Sequence, residues 1–138
     1  MKNYNFKDVS LVIGTRRIKG FAEGSEIKVA RDEDSFKKTV GADGEVSRSK
    51  TNNRSGSIEF ELMSTSEDNN YLQNLVNIDE NSGAGIVPAK VIDKSGTELE
   101  FSAQSWIRKP ADRGRGSETG KRTWTIDCAT LDFTGGGN

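Results

Sequence analysis

Histidine is absent from this 138-residue chain, and cysteine occurs once. Without histidine there is no imidazole base near neutral pH, no Ser–His or Cys–His nucleophile pair and no histidine-ligated metal. The lone thiol, Cys128, forms no internal disulfide, which suits a reducing compartment. Apolar residues are also scarce, at 32%, against a usual value of about 45–50% when glycine is counted. There is no run of about 18 apolar residues, so no membrane-spanning segment is expected. The opening MKNYNFKDVS lacks the apolar stretch of a secretory signal. Neither sign of charge dominates, because 20 basic and 21 acidic side chains leave a formal charge of −1. No global field attracts nucleic acid or an anionic membrane, and copies of the chain repel one another little.

What is present is a sheet pattern with polar punctuation. At this length one domain is expected over residues 1–138, long enough to bury a real core. The low apolar content suits a small sheet protein that completes its burial by association, the alternative being a soluble monomer with a thin core. Val9, Leu11 and Ile13 alternate with polar or small neighbours up to Gly14. Short strands are then expected at Arg17–Phe21 and Glu26–Arg31. A polar arm follows at about residues 36–56, in which Phe36–Val40 and Glu45–Lys50 are the legs of a hairpin around Gly41-Ala42-Asp43-Gly44. Ile58, Phe60 and Leu62 alternate strictly with Glu59 and Glu61, the mark of a strand with one dry and one wet face.

One helix is predicted, from Glu67 to Asn77 or slightly beyond, capped by Ser64 or Ser66. Its apolar stripe is Tyr71, Leu72, Leu75, Val76 and Ile78, and Asn81, Gly83 and Gly85 end it. Further strands are expected at Ile86–Asp93, Glu98–Phe101, Ala103–Arg108, Lys121–Cys128 and around Leu131–Phe133. Pro88, which donates no ladder hydrogen bond, marks an edge strand or the point where its strand begins. The fold class is mainly β, an antiparallel sandwich or barrel with one flanking helix. Its core is Val9, Leu11, Ile13, Ile58, Phe60, Leu62, Leu72, Leu75, Trp106, Trp124 and Ile126. The GGGN tail has nothing to bury and is expected to be mobile.

No motif carries chemistry. Cys128 alternates with Trp124 and Ile126 and reads as core. Glu59 and Glu61 share a face, as an acid/base pair would, but a solvated strand face looks the same. Asp32, Glu33 and Asp34 lack the ligand spacing of a calcium loop. GADGEV has no following helix and no P-loop lysine. Arg113-Gly114-Arg115-Gly116 is one copy of an RGG-like fragment beside Asp112 and Glu118, so a solvent loop or subunit contact fits better. No enzyme activity, cofactor or metal site is expected. An arm too polar to fold on itself, attached to a good strand, points to assembly.

Four blocks carry a specific resemblance: KDVSLVIG at 7–14, VGADGEVSRSKTNNRSG at 40–56, QSWIRKP at 104–110 and the closing RTWTIDCATLDFTGGGN. In these blocks the chain resembles bacteriophage tail tube proteins, and the blocks extend over nearly the whole chain. The resemblance implies a fold shared with type VI secretion tube proteins. It implies hexameric rings stacked into a hollow conduit that carries DNA to the host, in a virion tail assembled in the host bacterial cytoplasm. Implied partners are further copies of the chain, sheath, tape-measure, baseplate and tail-terminator proteins, and DNA in non-specific passage. On this reading Lys37, Lys38, Asp43, Glu45, Arg48, Lys50 and Arg54 form the contact arm. Glu59, Glu61 and Asp127 are candidates to face the lumen. The alternatives are a tube subunit of a DNA-free contractile injection particle, or a monomeric β-sandwich module that binds sugar or single-stranded nucleic acid through Trp106, Trp124 or the Arg-Gly loop.

Overall fold

A computed structural model describes Met1 and residues 3–137. Lys2 and Asn138, the latter ending the tail expected to be mobile, lie outside the described residues. A 3-10 turn at Phe6–Asp8 leads into β1 (Val9–Ile13) and β2 (Arg16–Arg17). Then come β3 (Lys28–Arg31), β4 (Phe36–Val40), β5 (Val46–Lys50) and β6 (Gly56–Met63). Helix α1 (Asp68–Ser82) is followed by β7 (Val87–Asp93), β8 (Leu99–Ile107), β9 (Lys121–Cys128) and β10 (Asp132–Thr134). Eight strands make one antiparallel sheet in the order β2-β1-β7-β8-β9-β6-β3, with β10 added to β8, while β4 and β5 pair only with each other. The class is the predicted one, a mainly antiparallel β fold with one helix.

The core lies on one face of this sheet under α1. Leu11, Ile13, Ile58, Phe60, Leu62, Leu72, Trp124 and Ile126 are buried, with Val9 and Leu75 packed partly buried against them. Strict alternation explains β6, whose odd members from Ser57 to Met63 stay at least partly exposed while the even ones are buried. Register does the rest, since Ile58 opposes Ile126 and Phe60 opposes Trp124 across the β6–β9 ladder. Trp124 also donates from Nε1 to Asn69 Oδ1 at 2.9 Å, joining helix to sheet.

Several expectations are corrected. The strand predicted at Arg17–Phe21 is reduced to Arg16–Arg17 plus an isolated bridge from Phe21 to Leu62. Pro88 is in an interior strand, flanked by β1 and β8. It is tolerated because the β7–β8 register shifts between Val87 and Ala89, so no ladder donor is needed there. The strands expected at Glu98–Phe101 and Ala103–Arg108 are one strand, β8. Val87 pairs with Ser105 but Ala89 with Ser102, so β8 carries one extra residue at that point. This bulge switches which alternate residues face inward. Ser102, Ser105 and Ile107 are therefore buried, and Trp106 is only half-buried on the opposite face, not in the core. Ile78 leaves the apolar stripe for solvent, and α1 runs on to Ser82. Of the proposed caps, Ser66 acts, its Oγ accepting from the Asp68 N–H at 3.3 Å.

Candidate assembly surfaces

The arm forms as a hairpin, and every residue from Asp32 to Lys50 is exposed. Phe36 pairs with Lys50, Lys38 with Arg48 and Val40 with Val46, which puts these six on one face. Lys37, Thr39, Ser47 and Ser49 occupy the other. The first face is apolar and cationic at once: Phe36, Val40 and Val46 are 47%, 57% and 60% exposed, and the Arg48 guanidinium stacks 4.3 Å from the Phe36 ring centre. No carboxylate lies within either strand. Asp43 and Glu45 sit at the tip, where Asp43 Oδ1 accepts from the Glu45 N–H at 3.1 Å. Gly41 N–H donates to Glu45 O at 2.7 Å, and Gly44 has φ 89°, a conformation glycine adopts without penalty. A two-stranded ribbon is marginally stable alone in water, and this one offers four cations and three apolar side chains to solvent.

The root of the arm is fixed. Thr51 N–H donates to Ser35 O at 2.9 Å, and Asp32 N–H to Ser55 O at 3.0 Å. Arg54, expected to reach acidic surface on a neighbour, instead forms a salt bridge with Asp132 of its own chain. Its carbonyl accepts from Leu131 N–H at 2.8 Å. Arg54 is thus an anchor of the arm.

Glu59, Glu61 and Asp127 do share one face, the side of β6 and β9 away from the core. That face is also populated by cations. Arg108 holds Asp127 through a bidentate contact with its shortest distance at 2.8 Å, and Lys121 Nζ lies 3.5 Å from Glu61. The Asp127 carboxylate raises the Arg108 guanidinium above its already high value, by hydrogen bond first and charge second. Glu59 stands opposite Lys28 of β3. The face is therefore close to charge-balanced.

Two features were not legible as sites in the sequence. The buried Asp68 carboxylate accepts from the Lys19 N–H at 2.5 Å and from Arg16 Nε, locking the start of α1 to the β1–β2 corner. A cleft of about 350 Å³ opens between β3 and the β1–β7 side, lined by Tyr4, Phe6, Val9, Ile27, Val29 and Val91 together with Glu26, Asp93, Glu98 and Glu100. Glu100 opposes Val91 and so lies on the core side of β8. Burial, then the neighbouring Glu98, pushes its carboxyl above the ordinary range.

These surfaces suit packing between proteins rather than catalysis. No cluster that could hold a metal exists among the described residues. Cys128 is buried, and burial pushes its thiol up, away from reactivity. No helix among them is long and apolar enough to cross a membrane. The sequence profile of the Bacteriophage PhiTE tail tube protein family matches residues 1–136. The chain belongs to this tail tube family. Among its relatives is structural protein ORF10 of Pseudomonas phage KPP10, 32% identical over 121 residues, an alignment covering 86% of this chain and 70% of that protein. This tail tube protein is a structural component of the virion and not an enzyme: its family is one of tail tube proteins, and the phage relative is a structural protein.

Solved structures give the same architecture. The sheath/tube terminator of the extracellular contractile injection system PVC matches with TM-score 0.62 at 10% identity, covering 98% of this chain and 99% of that one. The tube-terminating cap of the anti-feeding prophage matches with TM-score 0.61 at 6% identity, covering 97% and 92%. A chain of the PVC sheath–tube complex matches with TM-score 0.58 at 9% identity, covering 91% and 87%. At these identities the likeness is one of fold.

Proposed function

We propose that the chain is the ring-forming subunit of the tail tube: six copies close into a ring, and rings stack into a hollow conduit for DNA delivery. The observation that carries this is the arm, a folded ribbon with every side chain of both strands in solvent, on a tail tube family member. The sheet supports it too. It ends in β2 on one side and β3 on the other, each paired along one edge only. Open edges invite pairing with other chains, and a ring joining β3 of one copy to β2 of the next covers both ends of the main sheet. The arm then supplies the second contact, to an adjacent subunit or ring.

The β6–β9 face is the lumen candidate. Its carboxylates Glu59, Glu61 and Asp127 sit among Lys28, Arg108 and Lys121, so no cationic stripe offers phosphate-by-phosphate, salt-sensitive binding. DNA would pass without being held. Sheath, tape-measure, baseplate and terminator proteins are the partners such a tube requires, and assembly takes place in the host bacterial cytoplasm. A DNA-free injection particle shares the fold, but the family and the curated relative favour a phage. The monomeric binding module loses support because Trp124 is 2% exposed and hydrogen-bonded, and Trp106 lies beside the acidic Asp127.

Negative-stain imaging and size-exclusion at rising concentration test this reading. Rings and hollow rods are expected; a compact monomer at millimolar concentration overturns it. Removing residues 42–53 should abolish tubes and leave the circular dichroism of the sheet unchanged, and normal tubes from that deletion refute the role of the arm.

A further inference from the structure

The cleft beside β3 has a composition that its own chain leaves unmatched. Its lining sets Val9, Ile27, Val29 and Val91 beside Glu26, Glu98 and Glu100, and none of these three glutamates has a salt bridge among the described residues. Glu100 is on the core side of β8 because Ser102, two residues on, is also inward. Glu26 is exposed, but Glu98 and Glu100 are partly buried. Carboxylates half-removed from water without a cation are costly, and a cation brought to them would be held firmly.

The same molecule displays the complement. One face of the arm combines Val40 and Val46 with Lys38 and Arg48, all exposed, and no carboxylate lies in either strand. Two other grooves suit such a face less. The one between the β1–β2 corner and the start of α1 sets Arg16, Arg17 and Lys19 against Glu67 and Asp68, and the one beside Phe6 and Phe21 carries Lys7, Arg17 and Lys19 with no carboxylate among the described residues. We propose that the cleft of one copy is the seat for the arm of a second copy, with Val40 and Val46 against Ile27 and Val29 and with Lys38 and Arg48 on Glu98 and Glu100. This rests on the reading of the arm as an intersubunit contact and adds its receptor. The size fits: about 350 Å³ admits the two valines, with Lys38 and Arg48 reaching the carboxylates from the strands beside them, and does not admit a folded module.

Paired cysteines test it in assembled full-length tubes. Lys38→Cys with Glu98→Cys should give a covalent ladder on non-reducing gels, and neither single variant should, because Cys128 is buried. Arg48→Glu and Glu100→Lys should each lower the polymer yield at least tenfold, and their combination should restore it. Hydrogen exchange on the unaltered protein is independent of any folding defect, and residues 25–29 and 98–100 should gain protection on assembly. Tubes that form with no ladder and no new protection there overturn the cleft as receptor and leave the arm contact standing. Normal tubes without residues 42–53 overturn both.

Discussion

The β6–β9 ladder and the β4–β5 ribbon are built from the same local rule and have opposite fates. In both, cross-strand partners line up residue for residue. In β6–β9 each inward pair, such as Ile58 with Ile126, enters a core covered by α1. In β4–β5 the corresponding pairs, Phe36 with Lys50 and Val40 with Val46, meet water on both faces. Hydrogen bonding fixes the ribbon's shape, but burial is what gives a sheet most of its free energy. The difference teaches where this chain keeps its stability and where it keeps its capacity to associate.

Removing the turn and second strand of the arm, residues 42–53, should break that comparison most sharply: assembly lost entirely by electron microscopy, with the domain's melting temperature nearly unchanged. Truncating the other side does the reverse. Phe60→Ala removes a ring that is 1% exposed and should cost about 3–5 kcal/mol in urea unfolding. Val46→Ala on the arm should cost nothing measurable in the same assay. Gly56→Ala comes next. A Cβ there would meet Ala30 O at 2.5 Å and a Leu131 methyl at 2.6 Å, and crowding of that kind costs about 1–3 kcal/mol.

Smallest is Glu100→Gln, read in the unassembled subunit. The Glu100 carboxyl is raised from its ordinary 4.5. A raised carboxyl favours the fold fully below the unfolded value, and that contribution is lost as pH climbs through the folded value. The variant should therefore melt slightly higher than the parent at pH 7, with the difference vanishing as pH falls below about 4.5. An unchanged difference across that window would remove Glu100 as the cause.

How much of this was legible depends on whether a strand keeps its parity. β6 and β9 alternate without interruption, so their boundaries, core members and wet-face carboxylates followed from the pattern. The hairpin followed from its turn chemistry at Gly41–Gly44. β8 was not legible, because the bulge opposite Pro88 reverses parity within the strand. Upstream of it Glu100 is inward and Phe101 outward, and downstream Ile107 displaces Trp106 from the core. The acidic cleft depends on that reversal and on β3 lying close to β1 in space. Neither is encoded in local spacing. The pairing of Arg54 within its own chain was not legible for a similar reason, since its partner Asp132 is 78 residues away.

The clamp between Arg54 and Asp132 also bears on how copies meet. A ribbon free to swing would surrender its orientational freedom each time it docked, and binding would be weaker by that amount. Tied at its root by this salt bridge and by the hydrogen bond from Leu131 N–H to Arg54 O, the arm has less of that freedom to lose. On the proposed reading of the arm, less of the contact energy is then spent on ordering it, and more remains as affinity between copies.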